Sequence, residues 1–129
     1  MVKNAKTILF ADDDFDYSFR IRHLLKQWGY NVLSVSSQKE AEALIENVKP
    51  DLALLDLMME NEDSGFILAY KFKQRYPDMP VIISTSVASE TGIEFCLGSS
   101  AEQAWIKADL YLGKGVKSEA LKMAIEKFI

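Results

Sequence analysis

Four places in the sequence put oxygen or nitrogen chemistry directly after a short apolar run. Asp12, Asp13 and Asp14 follow Ile8-Leu9-Phe10-Ala11, and Asp56 closes Leu52-Ala53-Leu54-Leu55. Thr85 follows Val81-Ile82-Ile83-Ser84, and Lys114 comes just after Leu110-Tyr111-Leu112. Adjacent carboxylates repel one another, so a cluster of them needs a proton or a cation. Mg²⁺ suits such a cluster: it is hard, takes oxygen ligands, and is commonly held by one or two carboxylates together with water and phosphate oxygens. A carboxylate beside it can attack a phosphoryl group and become an acyl phosphate, with the metal offsetting charge on the transferred group. An ammonium such as Lys114 and a hydroxyl such as Thr85 can hold the remaining phosphoryl oxygens. The chemistry available is phosphoryl transfer without a nucleotide-binding loop.

Each residue also has an ordinary reading. Asp12 to Asp14 can form a solvated turn, with Asp14 or Asp16 capping a helix. Asp56 can be a strand-end turn residue, Thr85 a strand threonine and Lys114 a surface lysine. Their coincidence at successive strand ends favours a common site.

The elements that would position them can be read from the pattern. Short apolar runs bounded by polar residues, at Ile8–Ala11, Asp51–Asp56 and Val81–Ser84, predict parallel strands buried on both faces. Tyr30–Val35 and Leu110–Leu112 are weaker strand patterns. Ile21, Leu24, Leu25 and Trp28 keep helical spacing, and Gly29 follows as a C-terminal cap. Ala41, Leu44, Ile45 and Val48 repeat that spacing behind a capping box at Ser37 to Glu40. Phe66 to Tyr76 predicts a third helix stopped by Pro77, and Leu121, Ala124, Ile125 and Phe128 a last one. The segment 87–108 predicts a loop of about a dozen residues, then a helix from Ser99 through Trp105. This β-α alternation implies a mostly parallel sheet with helices on both faces. Ligands of such a sheet bind outside the carboxyl ends of the strands, the edge where all four places fall.

The chain has 129 residues, 49% hydrophobic and 26% charged, which predicts one globular domain over 1–129. A net charge of −4 without a block of Lys or Arg argues against direct nucleic-acid binding. Cys96 is the single cysteine, so no disulfide forms within the chain. No segment approaches the roughly 20 apolar residues of a membrane span, and Thr7–Ala11 is too short for a secretory signal. Cytoplasmic residence without membrane insertion is the expectation.

From about Thr7 to the C-terminus the sequence resembles the response-regulator receiver domains of two-component signalling. The resemblance rests on Ile8 to Asp14, on Pro50 to Met59 around Asp56, on Pro80 to Ser86 with its hydroxyl at Thr85, and on Ala108 to Lys114. It implies a flavodoxin-like doubly wound (βα)5 fold, with a five-stranded parallel sheet between helices. It implies that Asp56 takes a phosphoryl group from a sensor histidine kinase, a phosphotransfer protein or a small acyl phosphate. Mg²⁺ would be held by Asp12, Asp13, Asp56 and the backbone carbonyl of Met58. Lys114 would contact the phosphoryl group. Thr85 and Tyr111 would couple phosphorylation to the face built by the helix from Ser99, the strand at Tyr111 and the last helix. A downstream effector protein would read that face, and receivers that dimerise through it make a homodimer compatible with the resemblance. Such a domain catalyses only its own phosphoryl transfer and dephosphorylation, and because the chain ends with its last helix it is read as a receiver without an attached output domain.

Three departures stand out. Glu60 replaces the proline that often follows the acceptor strand, which predicts a looser loop. Gly115 replaces the proline that usually follows the lysine, so the usual cis bond is not available. The segment between Thr85 and Lys114 is several residues longer than usual.

Two other functions compete. One is a degenerate receiver that binds partners without taking phosphate. The other is a haloacid-dehalogenase-like phosphatase, whose Asp-x-Asp opening Asp12 and Asp14 resemble, with Asp12 as nucleophile. His23 lies off the apolar stripe of its helix and reads as partly exposed. Cys96 reads as a buried small hydrophobe. Trp28, Phe66 and Phe128 read as core, Tyr111 as a candidate for a partner-facing surface, and Trp105 equally as core or partner-facing, because aromatics dominate both.

Overall fold

A computed structural model of the chain describes residues 6–61, 63–85, 93–94 and 108–129. In order these form β1 (Thr7–Ala11), α1 (Phe15–Gln27), β2 (Asn31–Val35), α2 (Gln38–Ile45), β3 (Leu52–Asp56), α3 (Ser64–Arg75), β4 (Val81–Thr85), β5 (Ile93–Glu94), β6 (Leu110–Gly113) and α4 (Ser118–Phe128). The sheet runs β2-β1-β3-β4-β6-β5. The pairs from β2 to β6 are parallel, which gives the five parallel strands expected. The two-residue β5 corrects the expectation of an uninterrupted loop before Ser99, because it pairs antiparallel with β6 at the sheet edge. The helix expected from Ser99 through Trp105, with Cys96 before it, lies outside the described residues.

The apolar runs are continuous because both sheet faces are covered, and alternate residues serve opposite cores. Leu9, Ala11, Ala53, Leu55, Val81, Ile83 and Tyr111 point to one core with Ala41 and Ile45 of α2 and Leu68, Ala69 and Phe72 of α3. Ile8, Phe10, Leu52, Leu54, Ile82 and Leu112 point to the other, with Ile21 and Leu25 of α1 and Leu121, Ala124 and Ile125 of α4. Phe66 packs on the first core, Trp28 and Phe128 on the second, while His23 is exposed.

The helix ends obey the local signals. Gly29 takes φ +96° beyond α1, its N–H donating to Lys26 and that of Tyr30 to Leu25, the paired bonds of a glycine-terminated helix. At α2 the Glu40 N–H donates to Ser37 Oγ. The Glu40 carboxylate reaches one residue further back than a capping box requires, accepting from the N–H and hydroxyl of Ser36. No described helix is long and apolar enough to cross a membrane.

Candidate functional site

The strand order reverses between β1 and β3, and the crevice outside their carboxyl ends is where such sheets bind ligands. Ladder bonds just past the strands fix the backbone there: Asp12 N–H donates to Val35 (3.1 Å), Leu57 N–H to Ser84 (2.9 Å) and Lys114 N–H to Thr85 (2.9 Å). Asp12, Asp56 and Thr85 are buried at 2%, 4% and 4% exposure. A cleft of about 210 Å³ opens among Asp13, Asp14, Asp56, Met58, Thr85 and Lys114. A larger groove, about 380 Å³ and lined by Glu42, Glu46, Lys71 and Arg75, lies between α2 and α3. Its charges are already paired, Lys71 with Glu42 and Arg75 with Glu46, so the smaller cleft holds the unusual chemistry.

Carboxylate oxygens of Asp12, Asp13 and Asp56 all lie within 4.8 Å of one another. The Lys114 ammonium bridges two of them, 3.0 Å from Asp12 Oδ2 and 3.2 Å from Asp56 Oδ1. Asp12 Oδ1 accepts the Asp14 N–H at 2.8 Å. Buried Oδ2 has the lysine as an ion-pair partner but no aligned hydrogen bond among the described residues. Burial, then the Asp12 charge, pushes the Asp56 carboxyl up to about 7, against the pull of Lys114. Burial also raises Asp12, although the Asp14 N–H and Lys114 oppose it. Burial pulls the Lys114 ammonium down, but the two carboxylates more than offset this and leave it raised. The result is a compact, over-acidic site that one lysine incompletely neutralises.

These donors fit a hard divalent cation: they are all oxygen, two of the three carboxylates are buried, and one buried oxygen lacks an aligned donor. Met58 lines the same cleft. The aspartate triplet divides its labour, since the Asp14 side chain caps α1 by accepting the Tyr17 N–H at 3.0 Å.

Tyr111 is not in this cleft. It is 7% exposed and packed in the α2–α3 core, its ring 6.0 Å from that of Phe66. Its reading as a partner-facing aromatic is therefore corrected: strand alternation turns it under α3. Its buried hydroxyl has no hydrogen bond among the described residues. Trp105 lies outside them.

The loop after β3 also differs from expectation. Instead of loosening it, Glu60 ties it to the start of α2, its carboxylate accepting the N–H groups of Gln38 (2.7 Å) and Lys39 (3.1 Å). These are orphan donors of a helix N-terminus, which favours a negative charge. The Gln38 N–H holds the Glu60 carboxyl below its ordinary value. No peptide bond among the described residues is cis, so Gly115 follows Lys114 through a trans bond.

Gly65 was missed from the sequence. A Cβ there would sit 2.7 Å from both Asp56 O and Leu57 Cα, which are backbone atoms. Its N–H donates to Leu57 O at 2.8 Å. The available signal was a glycine in the first turn of a helix, where Ala would be preferred by propensity. Gly65→Ala is expected to lower stability by about 1–3 kcal/mol in urea unfolding, because backbone cannot rotate away as a side chain can.

The comparisons with known proteins agree with this architecture. The family model described as response regulator receiver domain matches residues 8–126. The transcriptional regulatory protein ZraR of Salmonella typhimurium is 30% identical over 98% of this chain and 27% of its own length. The phosphate regulon transcriptional regulatory protein PhoB of Pseudomonas aeruginosa is 37% identical over 67% of this chain and 38% of its own. The chain thus spans well under half of these relatives. A CheY-like receiver domain protein from Methanospirillum hungatei superposes with a TM-score of 0.80 at 29% identity, over 96% of this chain and 93% of that one. The receiver domain of the sensor histidine kinase PA1611 from Pseudomonas aeruginosa, solved with magnesium in its cleft, superposes at 0.77 over 96% and 97%. At 20% identity that likeness shows the fold alone. With a family model covering nearly all of it, the chain belongs to the response regulator receiver domains of two-component signalling.

Proposed function

We propose that this receiver domain, one unit over 1–129, is a switch that accepts a phosphoryl group on Asp56. The observation that supports this is the placement of the Asp56 carboxylate at the carboxyl end of β3, within 4.8 Å of the Asp12 and Asp13 carboxylates and 3.2 Å from the Lys114 ammonium. A carboxylate oxygen of Asp56 forms the new O–P bond, while the bond from phosphorus to the donor's nitrogen or oxygen breaks and the donor keeps that electron pair. Mg²⁺, held by Asp12, Asp13, Asp56 and the Met58 carbonyl, would supply charge neutralisation for the transferred group. Lys114 holds a second phosphoryl oxygen, and Thr85, on the rim of the same cleft, donates to a third. Lys114 favours the ionised, nucleophilic form of Asp56, which burial opposes, and a bound cation would act in the same direction.

The donor in this reading is a sensor histidine kinase or a phosphotransfer protein, with a small acyl phosphate able to substitute. Thr85 and Tyr111 relay the change to the face around β6 and α4, where an effector protein binds. The chain works in the cytoplasm beside its donor, without touching nucleic acid or entering a membrane. Turnover is confined to its own phosphorylation and dephosphorylation.

Incubation with acetyl phosphate and Mg²⁺, followed by intact-mass measurement and peptide mapping, tests the reading. One phosphoryl group on Asp56 is expected. A label on Asp12, or steady multiple-turnover hydrolysis of phosphomonoesters, would point instead to a phosphatase. A folded protein that takes no label from any donor would be a phosphate-independent binding module.

A further inference from the structure

Lys114 is held by more than its two carboxylates. Its ammonium lies 4.9 Å from the centroid of the Tyr17 ring, in the first turn of α1. Ring faces carry negative potential and attract such a cation, most strongly where water is scarce. Here the lysine side chain is only 16% exposed. The ring is itself fixed. The Tyr17 N–H is anchored on Asp14 Oδ1 at 3.0 Å, and the ring tilts against Phe10 at 6.4 Å in the α1–α4 core. Arg20, one helical turn on, stands 5.5 Å from the same ring. The ammonium is therefore enclosed by Asp12, Asp56 and an aromatic ring. A lysine has four rotatable bonds and a strongly hydrated head, so a ring face adds a restraint on its stem and head beyond the pull of the two carboxylates.

We propose that Tyr17 is a positioning residue for Lys114, its ring keeping the ammonium over the Asp12–Asp56 pair so that it meets the incoming phosphoryl group. The proposal rests on the reading of Asp56 as phosphoacceptor. The ring acts through its face, not its hydroxyl, so Phe should replace it and an aliphatic side chain of similar bulk should not.

The test compares acyl-phosphate formation from acetyl phosphate at saturating Mg²⁺ for wild type, Tyr17→Phe and Tyr17→Leu. The same Tyr17→Leu change is then made beside Lys114→Met. Tyr17→Phe is expected near wild type and Tyr17→Leu roughly three- to tenfold slower, the scale of one partly desolvated cation–π contact. In the Lys114→Met background Tyr17→Leu should change nothing further, which a general packing defect would not predict. Proton NMR gives an independent signature. The Lys114 ε-methylene protons should be shifted upfield by the ring in wild type and Tyr17→Phe, and this readout stands even if the Leu variant folds poorly. Wild-type rates for Tyr17→Leu, equal losses with and without Lys114, or no ring shift in the wild type would overturn the proposal alone. A wild-type protein that forms no acyl phosphate would overturn the phosphoacceptor reading, and the proposal with it.

Discussion

Asp56→Asn is expected to abolish acyl-phosphate formation and, at the same time, to raise the melting temperature of the metal-free protein at pH 8. The first effect follows from losing the nucleophile: an amide oxygen cannot give a stable acyl phosphate. The second follows from the electrostatics of the cleft. The folded value of about 7 lies above the ordinary 3.8, so the folded state prefers the protonated carboxyl. The stability this group contributes is fully present below pH 3.8 and is lost as pH rises towards 7, because the unfolded chain then holds fewer protons than the native one. At ~1.4 kcal/mol per pH unit the loss amounts to a few kcal/mol, less what solvent in the open cleft screens. Asn carries no charge and escapes it, while the Lys114–Asp12 pair remains. Thermal melts at pH 5 and pH 8 should show the variant's advantage growing with pH. A variant less stable than wild type at both values would give Asp56 a structural role instead.

The second large effect is expected at Lys114. Lys114→Met removes the only cation placed between Asp12 and Asp56 among the described residues. Breaking a buried pair from one side costs about 3–5 kcal/mol when the remaining charge cannot adapt. Here Asp56 can take a proton, so about 2 kcal/mol at pH 8 is the expectation. Acyl-phosphate formation should fall by roughly 10²-fold, the usual cost of losing one preorganised charge at a reacting group. Mg²⁺ should rescue stability more in the variant than in wild type, because the metal takes over the neutralisation that the lysine provided. Melts with and without Mg²⁺, alongside labelling rates, check both parts. A loss of Mg²⁺ affinity equal to the loss of rate would argue that Lys114 organises the metal site and not the phosphoryl group.

How the site divides between sequence and structure is clearest at individual residues. Asp12, Asp13, Asp56, Thr85 and Lys114 could be brought together on paper because a parallel sheet puts every strand's carboxyl end on one edge. Each sits at such an end, and that inference needs only the apolar runs. The caps at Ser37 and Gly29 were equally legible, since their bonds close within a few residues. The family resemblance was carried by the same local blocks.

Other features depend on distances between segments far apart in the chain. Glu60 was expected to loosen a loop, yet it caps α2 more than twenty residues earlier. Gly65 shows in the sequence only as an unfavoured residue in a helix's first turn, and its reason appears when the backbone of Asp56 and Leu57 is seen against it. Tyr111 alternates with Leu112, and only the position of α3 shows that it is covered. Tyr17 meets Lys114 because α1 and the end of β6 lie beside the same crevice.

The sequence by itself thus determined which chemistry gathers at the edge of the sheet, because strand ends and caps are set by local periodicity and local hydrogen bonding. Tertiary structure alone decided how that chemistry is held. The bridge from Lys114 to Asp12 and Asp56, the ring above it and the glycine behind the acceptor strand are through-space contacts, fixed by how the helices settle on the two faces.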